Sequence, residues 1–517
     1  MNFKALGRIL GKIMILEGGL MLAPLIVGLI YKEPIMNIVG FIIPIVALVG
    51  IGFLLQIPKP KRVSLYQKEG FALVALVWII MALFGALPFV ISGDIKDFSY
   101  IDACFEIMSG FTTTGASVIA DITEVSHSIL FWRSFSHWIG GMGILAFVLI
   151  FIPESNDGSS MHLLRAESPG PQVGKIVSKM KMTTGILYLI YLGLTVLEFI
   201  FLLFDNPIPG YENDKVFNCM LATFGCAGTG GFGFLPGSME LFSQYSQYVM
   251  SIFLILFGVN FALYYLILIG KIKDVFRSEE FKSYFITVFF AVGVIFGSLM
   301  TSLEKLGYTI EEAFRHSLFQ VASIITTTGY STTDFNHWPM PAITMLVLLM
   351  FSGAMAGSTS GGIKMSRMVI AFKGAYVNIR KLINPRYVSK SKFEGKTLSE
   401  STTNGVFAFF TLYLFILIIV TLLLSFDPVN GTEIVFTDSD LIEGGTYTQI
   451  HGFFTNFSAS LSCLSNIGPG FEAVGPYGSF AHYSWFSKLV LTFTMLFGRL
   501  EILPVMILFS PKTWKRT

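Results

Sequence analysis

Apolar runs recur along this chain near 11–30, 38–56, 71–92, 129–152, 183–204, 247–271, 284–302, 341–372, 404–425 and 486–509. Runs of about 20 residues are long enough for a helix to cross a hydrocarbon core ~30 Å thick. A chain with so many cannot bury them in one soluble core. Charged residues make up 13% of it, about half of the roughly 25% usual in soluble domains, and the mean hydropathy is +0.69. The reading is a polytopic, all-α membrane protein. Its N-terminus begins basic and turns apolar like a signal peptide, but the apolar part is long and lacks a small-residue cleavage site, so it reads as a retained first helix.

The net charge of +2 matters less than where the charges lie. Basic residues collect in alternate loops: Lys59, Lys61, Arg62 and Lys68; Arg165, Lys175, Lys179 and Lys181; Lys271, Lys273, Arg277 and Lys282; then Lys373, Arg380, Lys381, Arg386, Lys390, Lys392 and Lys396. Lys512, Lys515 and Arg516 follow in the tail. The opposite loops lean acidic, with Asp205, Glu212 and Asp214, then Asp427, Glu433, Asp438, Asp440 and Glu443. Ten spans with both termini cytoplasmic put every basic loop inside, as the positive-inside rule requires. Cys104, Cys219, Cys226 and Cys463 form no CxxC and suit apolar packing better than a metal site or a disulfide framework.

Four external connections carry a short apolar stretch followed by a Gly/Thr/Ser-rich turn: 100–117, 215–233, 311–335 and 449–471. A helix of 10–14 residues reaches only part-way through a bilayer, so these read as re-entrant segments. Aligned on one glycine they form a column: Thr113-Thr114-Gly115, Thr229-Gly230-Gly231, Thr327-Thr328-Gly329 and Asn466-Ile467-Gly468. The expected architecture is four tandem span–pore-helix–filter–span repeats around a central pore, plus an N-terminal two-helix hairpin. The boundaries are 1–60 for the hairpin and 71–152, 183–272, 284–376 and 403–510 for the repeats, the third having a broken second span.

Irregular backbone at membrane depth is tolerated where protein buries it or where it lines an aqueous cavity. Glycine opens conformations in which carbonyls can turn inward and replace the hydration shell of a dehydrated cation. The half-helices would aim their negative ends at the same cavity. The four aligned segments contain no carboxylate, which favours a monovalent over a divalent cation, held by backbone carbonyls. Gly228, Gly230 and Gly233 fit a G-x-G-x-x-G pattern, but no strand precedes them, so a dinucleotide cradle fails its context.

Two features lie beneath these segments. Arg499 falls about 13 residues into the last apolar run, hence ~20 Å down a continuous helix. A buried arginine costs at least ~2.5–3.5 kcal/mol on insertion scales and marks a functional candidate. Its charge would raise the barrier to a passing cation. An ion pair with Glu501 is the structural alternative, though a two-residue spacing faces the side chains nearly opposite ways. The stretch 351–367 interrupts its span with four glycines and five serines or threonines, each glycine costing ~1 kcal/mol of helix propensity. It is either a flexible intramembrane loop or a small-residue packing face. Arg133 is expected to buttress the filter or reach the interface. Asp102, Glu106, Glu311 and Glu312 are expected to compensate positive helix ends, and the histidines are dispersed.

The phrases "SGFTTTGAS", "IITTTGYSTTDF", "LSNIGPGF", "WRSFSHWIGGMGI", "AGSTSGGIK" and "FGRLEILP" occur in order over roughly 70–510. With them the chain resembles the superfamily of Trk, Ktr and plant high-affinity potassium transporters, and its N-terminal helical pair resembles TrkH-type subunits. That resemblance implies a homodimer with one pore per protomer, in the bacterial inner membrane, gated by a cytoplasmic TrkA-type nucleotide-binding regulator. This chain would bind no nucleotide itself. The resemblance also implies that Gly357, Ser358, Thr359, Ser360, Gly361 and Gly362 form a gating loop followed by Lys364, with Arg499 beside it. Gly115, where sodium-favouring plant members carry serine, points to potassium. The rival readings are a Na+/K+ or ion-coupled secondary transporter (a symporter) with broken helices, and a membrane enzyme, for which no nucleophile–base or metal cluster is visible.

Overall fold

The computed structural model describes residues 3–58, 67–143, 180–384, 391–437, 446–508 and 510–514. Six of its helices are long and apolar enough to cross a membrane, or up to seven if a bent pair is counted as one span. The N-terminal helices Phe3–Leu20 and Leu22–Ile30 turn at Lys32 and return as Ile35–Gln56. Phe3–Leu20 approaches Ile35–Gln56 so closely that a Cβ on Gly11 would press on the Gly52 carbonyl. Between helices in lipid, close backbone approach supplies the attraction that water cannot. Glu33, in the turn, accepts from the Ser128 N–H at 2.9 Å and from its hydroxyl at 2.5 Å. The hairpin is thereby fastened to the helix that begins at His127.

After the hairpin one order of elements recurs. Long helices Gln67–Gly85, Met180–Leu203, Glu279–Met300 and Glu400–Leu424 each precede a half-helix: Tyr100–Phe111, Lys215–Gly228, Ile310–Ile325 and Phe453–Ser465. An irregular segment follows each half-helix, and then a second helix: His127–Gly141, Gln244–Phe257, Met340–Phe351 and Trp485–Arg499. Two half-helices begin with capping boxes, in which Ser99 pairs with Asp102 and Thr309 with Glu312. Each box satisfies free N–H groups and sets a carboxylate on the positive helix end. One apolar core joins the hairpin to the first two repeats and much of the fourth, and a second joins most of the third repeat to the rest of the fourth. Short antiparallel hairpins, Lys392–Phe393 with Lys396–Thr397 and Glu433–Thr437 with Thr446–Ile450, are the strands among the described residues.

Of the ten expected spans, one of them broken, the structure shows two further interruptions. The run at 247–271 is two helices, Gln244–Phe257 and Phe261–Leu268, bent by 91°. The run at 486–509 stops at Arg499, passes Glu501 and Ile502 at φ 53° and 69°, and resumes as Leu503–Leu508. The run at 341–372 is broken, as its glycines predict, between Phe351 and Met365. Apolar content cannot reveal such breaks, because both halves of a bent span remain equally apolar. The first repeat's second helix ends at Gly141, and 144–152 of the 129–152 run lie outside the described residues. So do Lys59, Lys61, Arg62, Arg165, Lys175, Lys179, Arg386, Lys390, Lys515, Arg516, Asp438, Asp440 and Glu443.

Candidate functional site

All four half-helices end in the same way. Thr113, Thr229, Thr327 and Asn466 adopt left-handed conformations, at φ 55°, 53°, 57° and 57°. The next residue's N–H reaches back five positions: Thr114 to the Ser109 carbonyl (2.8 Å), Gly230 to Gly225 (2.9 Å), Thr328 to Ser323 (2.8 Å) and Ile467 to Ser462 (3.0 Å). This is the Schellman closure of a helix C-terminus, a place where glycine is usual. A β-branched threonine there costs on the order of 1–3 kcal/mol. One residue further on, Gly115, Gly231, Gly329 and Gly468 turn left-handed again, at φ 80°, 58°, 86° and 106°.

These glycines touch one another's segments in cyclic order. A Cβ on Gly115 would collide with the Gly230 carbonyl, one on Gly231 with the Thr328 carbonyl and one on Gly329 with the Ile467 carbonyl. A Cβ on Gly468 would lie 2.7 Å from the Thr114 carbonyl, which closes the ring. The twelve residues aligned in sequence are therefore brought together. Behind them the threonine hydroxyls bond inward to the fold: Thr112 to the Met108 carbonyl (2.7 Å) and Thr114 (2.8 Å), Thr326 to the Ala322 carbonyl (2.6 Å) and Thr328 (2.9 Å). Asn466 links segments directly, its Nδ2 donating to Thr114 Oγ1 and to the Met495 carbonyl, both at 2.9 Å.

A buried ion pair braces the ring from the side. Arg133 Nε donates to Glu106 Oε1 at 2.8 Å, Nη1 to the Gly233 carbonyl at 3.1 Å and Nη2 to Ser117 Oγ at 3.1 Å. The Glu106 carboxylate also accepts from Ser117 Oγ (3.0 Å) and from the Val118 N–H (2.9 Å). Arg133 buttresses the site as expected. Glu106 does not compensate a helix end: it lies in the middle of its half-helix, fully buried, where its charge is matched by the guanidinium. His137, which sequence reasoning passed over, stands between the first two segments. Its Nδ1 lies 2.8 Å from the Gly110 carbonyl, and the Phe232 N–H donates to its Nε2 at 3.3 Å. At the rim, Lys488 Nζ donates to Asp102 at 2.6 Å. Partial burial opposes the Asp102 charge, but the bonds from Lys488 and Ser99 outweigh it and lower the pKa. Glu311 holds Arg315 at 2.9 Å, and Asp334 accepts from the Asn336 N–H at 2.9 Å.

On the opposite side of the ring lies the loop 352–364. The Gly361 N–H donates to Thr327 Oγ1 at 2.6 Å, and a Cβ on Gly361 would press on Ser465 and Asn466. The Phe261 N–H donates to the Gly357 carbonyl at 3.0 Å, and Thr359 Oγ1 to the Phe257 carbonyl at 3.3 Å, so the loop rests on the kink at 258–260. Ser358 and Ser360 share a hydroxyl bond of 2.9 Å, and Lys364 Nζ folds back on the Ser360 carbonyl. Gly357 and Gly362 are left-handed, at φ 78° and 64°.

Arg499 ends its helix rather than lying part-way along a continuous one. It donates to Thr113 Oγ1 and to the Thr359 carbonyl, both at 3.2 Å, and to the Gly140 and Gly141 carbonyls. It thus joins the first ring segment, the loop and the end of helix His127–Gly141. Glu501 pairs with Arg367, whose guanidinium lies 4.1 Å over the Phe409 ring. Sequence reasoning also missed Glu280. Its Oε1 accepts from the Ala356 N–H at 2.8 Å, within the broken stretch, and from the Ser366 N–H at 3.0 Å, in the first turn of the helix that follows. An acidic first turn resembles an ordinary helix start, so nothing local marks it.

The family model for TrkH, a cation transport protein, matches residues 36–516. The Trk system potassium uptake protein TrkH of Escherichia coli K12 is 32% identical over 525 residues, covering 100% of both chains. TrkH of Vibrio parahaemolyticus is 31% identical, again over 100% of both. The crystal structure of the potassium transporter TrkH from Vibrio parahaemolyticus superposes with a TM-score of 0.82 at 29% identity, covering 100% of each chain. The match of the family model over nearly the whole of this membrane-spanning chain settles its family: the chain belongs to the TrkH cation transport proteins.

Proposed function

We propose that this chain takes up potassium across the bacterial cytoplasmic membrane through a channel-like pathway lined by the glycine ring. The cyclic contact of Gly115, Gly231, Gly329 and Gly468 with one another's segments carries the reading. It gathers four backbone segments where carbonyls can replace a hydration shell. The ends of four half-helices lend the site negative potential, and no aligned segment adds a carboxylate. Thr113–Gly115, Thr229–Gly231, Thr327–Gly329 and Asn466–Gly468 form the selectivity filter on this reading. The named relatives are potassium proteins, which supports K+ as the ion.

The loop 357–362 with Lys364 is the gate, and Arg499 is its electrostatic part. It places a guanidinium between the first filter segment and the loop, where a cation leaving the ring must pass it. The four repeats with the boundaries expected from sequence act as one pore per protomer in a homodimer, both termini being cytoplasmic. The basic loop 373–402 is the docking surface for a cytoplasmic nucleotide-binding regulator, in keeping with relatives that are named as parts of a Trk system. The chain carries out no chemistry of its own.

The test is flux through purified protein in liposomes with K+ or Na+ gradients and a clamped voltage. Flux that follows the K+ electrochemical gradient and exceeds Na+ flux supports the proposal. Accumulation of K+ against its own gradient, driven by Na+ or H+, overturns the channel mechanism and returns the chain to the coupled transporters.

A further inference from the structure

The loop beneath the ring is tied to the protein surface through two glutamates. Glu280, in the first turn of helix Glu279–Met300, ties the loop at Ala356 to the start of the following helix at Ser366. The backbone of that same turn is held by Glu394. Its Oε1 accepts from Ser278 Oγ at 2.8 Å and from the Glu280 N–H at 3.1 Å. In return the Glu394 N–H donates to Glu279 Oε2 at 3.1 Å, and Lys373 Nζ bonds both Glu279 (2.8 Å) and the Lys392 carbonyl (3.0 Å).

Glu394 sits at a costly position for its residue type. Lys392–Phe393 pairs with Lys396–Thr397 across the two-residue turn Glu394-Gly395, at φ 50° and 72°. Two successive left-handed residues make the tight hairpin turn in which Asn-Gly is favoured. A long glutamate gains nothing there from the turn itself, so its presence is accounted for by what its carboxylate holds. The hairpin lies within the basic loop 373–402, with Lys392 and Lys396 on either side of the turn.

We infer that Glu280 is the positioning residue of the gate loop and that the Glu394 hairpin is the lever that sets it, so that a partner engaging the hairpin shifts the loop between its closed and open states. The inference rests on the loop being the gate. Displacing Glu394 frees the turn 278–280, the Glu280 carboxylate moves with its backbone, and the loop at Ala356 loses its anchor together with the start of the helix after it. Hydrogen bonds to a charged group are the strong ones among such contacts. A partner that competes for the Glu394 carboxylate must offer donors, so a basic or N–H-rich contact is the chemistry the hairpin would answer to.

The experiment is single-channel recording of the full-length protein in planar bilayers, comparing Glu280→Ala, Glu280→Gln, Glu394→Asn and the double variant Glu280→Ala/Glu394→Asn. Asparagine suits the turn and removes only the reach of the side chain. Glu280→Ala and Glu394→Asn should each shift the open–closed equilibrium by about tenfold in the same direction. Glu280→Gln, which keeps the acceptor oxygen, should shift it less. The double variant should go no further than Glu280→Ala, as contacts in one series are not additive. The K+/Na+ permeability ratio should stay fixed throughout, whereas general structural damage would move both. A wild-type equilibrium in Glu394→Asn, or full additivity in the double variant, overturns the lever. A wild-type equilibrium in Glu280→Ala overturns the positioning role. Gly357→Ala/Gly362→Ala separates the two levels: if this stiffened loop gates like wild type, the gate reading fails; if its gating changes while the glutamate variants do not respond, the present inference alone fails.

Discussion

The glycine ring and the loop beneath it are both irregular backbone inside a membrane protein, and they are held in different proportions by main chain and side chain. In the ring, main chain meets main chain: each left-handed residue closes a half-helix, and each glycine abuts the next segment's carbonyl. The loop has two backbone bonds to the kink, Phe261 N–H to the Gly357 carbonyl and Met355 N–H to the Gly258 carbonyl, and is otherwise tied to its surroundings by side chains that include Glu280, Thr327 and Arg499. Backbone-to-backbone contact leaves little room for a second arrangement, because interiors are close-packed and a shift in one segment displaces the others. A loop held largely by polar side chains can exchange those partners at the cost of a few hydrogen bonds. The difference suits the roles proposed above, in which the ring selects and must be rigid while the loop gates and must be bistable.

Substitution in the ring tests that contrast most severely. Gly329→Ala puts a Cβ onto the Ile467 carbonyl and within 2.7 Å of Pro469, in a left-handed conformation that alanine resists. Bi-ionic reversal potentials should show the K+/Na+ permeability ratio falling by about tenfold or more, since overpacking here displaces two filter segments at once. An unchanged ratio would mean the ring is not the selective element. Next comes the ring's lateral brace. Glu106→Gln leaves the Arg133 guanidinium buried without its counter-charge, a loss of about 3–5 kcal/mol for such pairs. The thermal transition of the detergent-solubilised protein should fall accordingly, and the double variant Glu106→Gln/Arg133→Met should recover much of the loss. No recovery would show that the pair does more than balance its own charges.

Arg499→Ala carries the smallest structural cost and the sharpest functional sign. Removing a cation from below the ring should raise unitary K+ conductance by about threefold, an electrostatic effect that weakens as ionic strength rises. The permeability ratio should stay at its wild-type value, because Thr113 and Thr359 lose a donor while the glycines keep their contacts. A change in selectivity without a change in conductance would place Arg499 in the ring and erase the division between the two regions.

Much of the ring was legible along the chain. Repetition is a local signal, and aligning Gly115, Gly231, Gly329 and Gly468 needs no knowledge of what they touch. The break at 352–364 was legible too, because glycine and serine weaken a helix wherever they stand. The kink at 258–260 and the stop after Arg499 were not. Gly258, Val259 and Asn260 form a short departure inside a strongly apolar run, too brief for hydropathy to register. Glu106 shows a different limit: on a half-helix its carboxylate could face either the outer end or the interior. Only the position of Arg133, 27 residues further along, decides between them.

By itself the sequence determined that the chain lives in a membrane, that it is built from a fourfold element and that glycine marks one position in each copy. Apolar length, turn chemistry and repetition are properties of consecutive residues, so they can be read in order. The tertiary structure decided the cyclic order of the four segments, the partners of Arg499, Arg367 and Glu501, and the hold of Glu280 on Ala356 and Ser366, 76 and 86 residues away in sequence. Hydrogen bonds and ion pairs act over a few ångströms of space whatever the separation along the chain, and no local pattern records which distant groups the fold will bring within that reach.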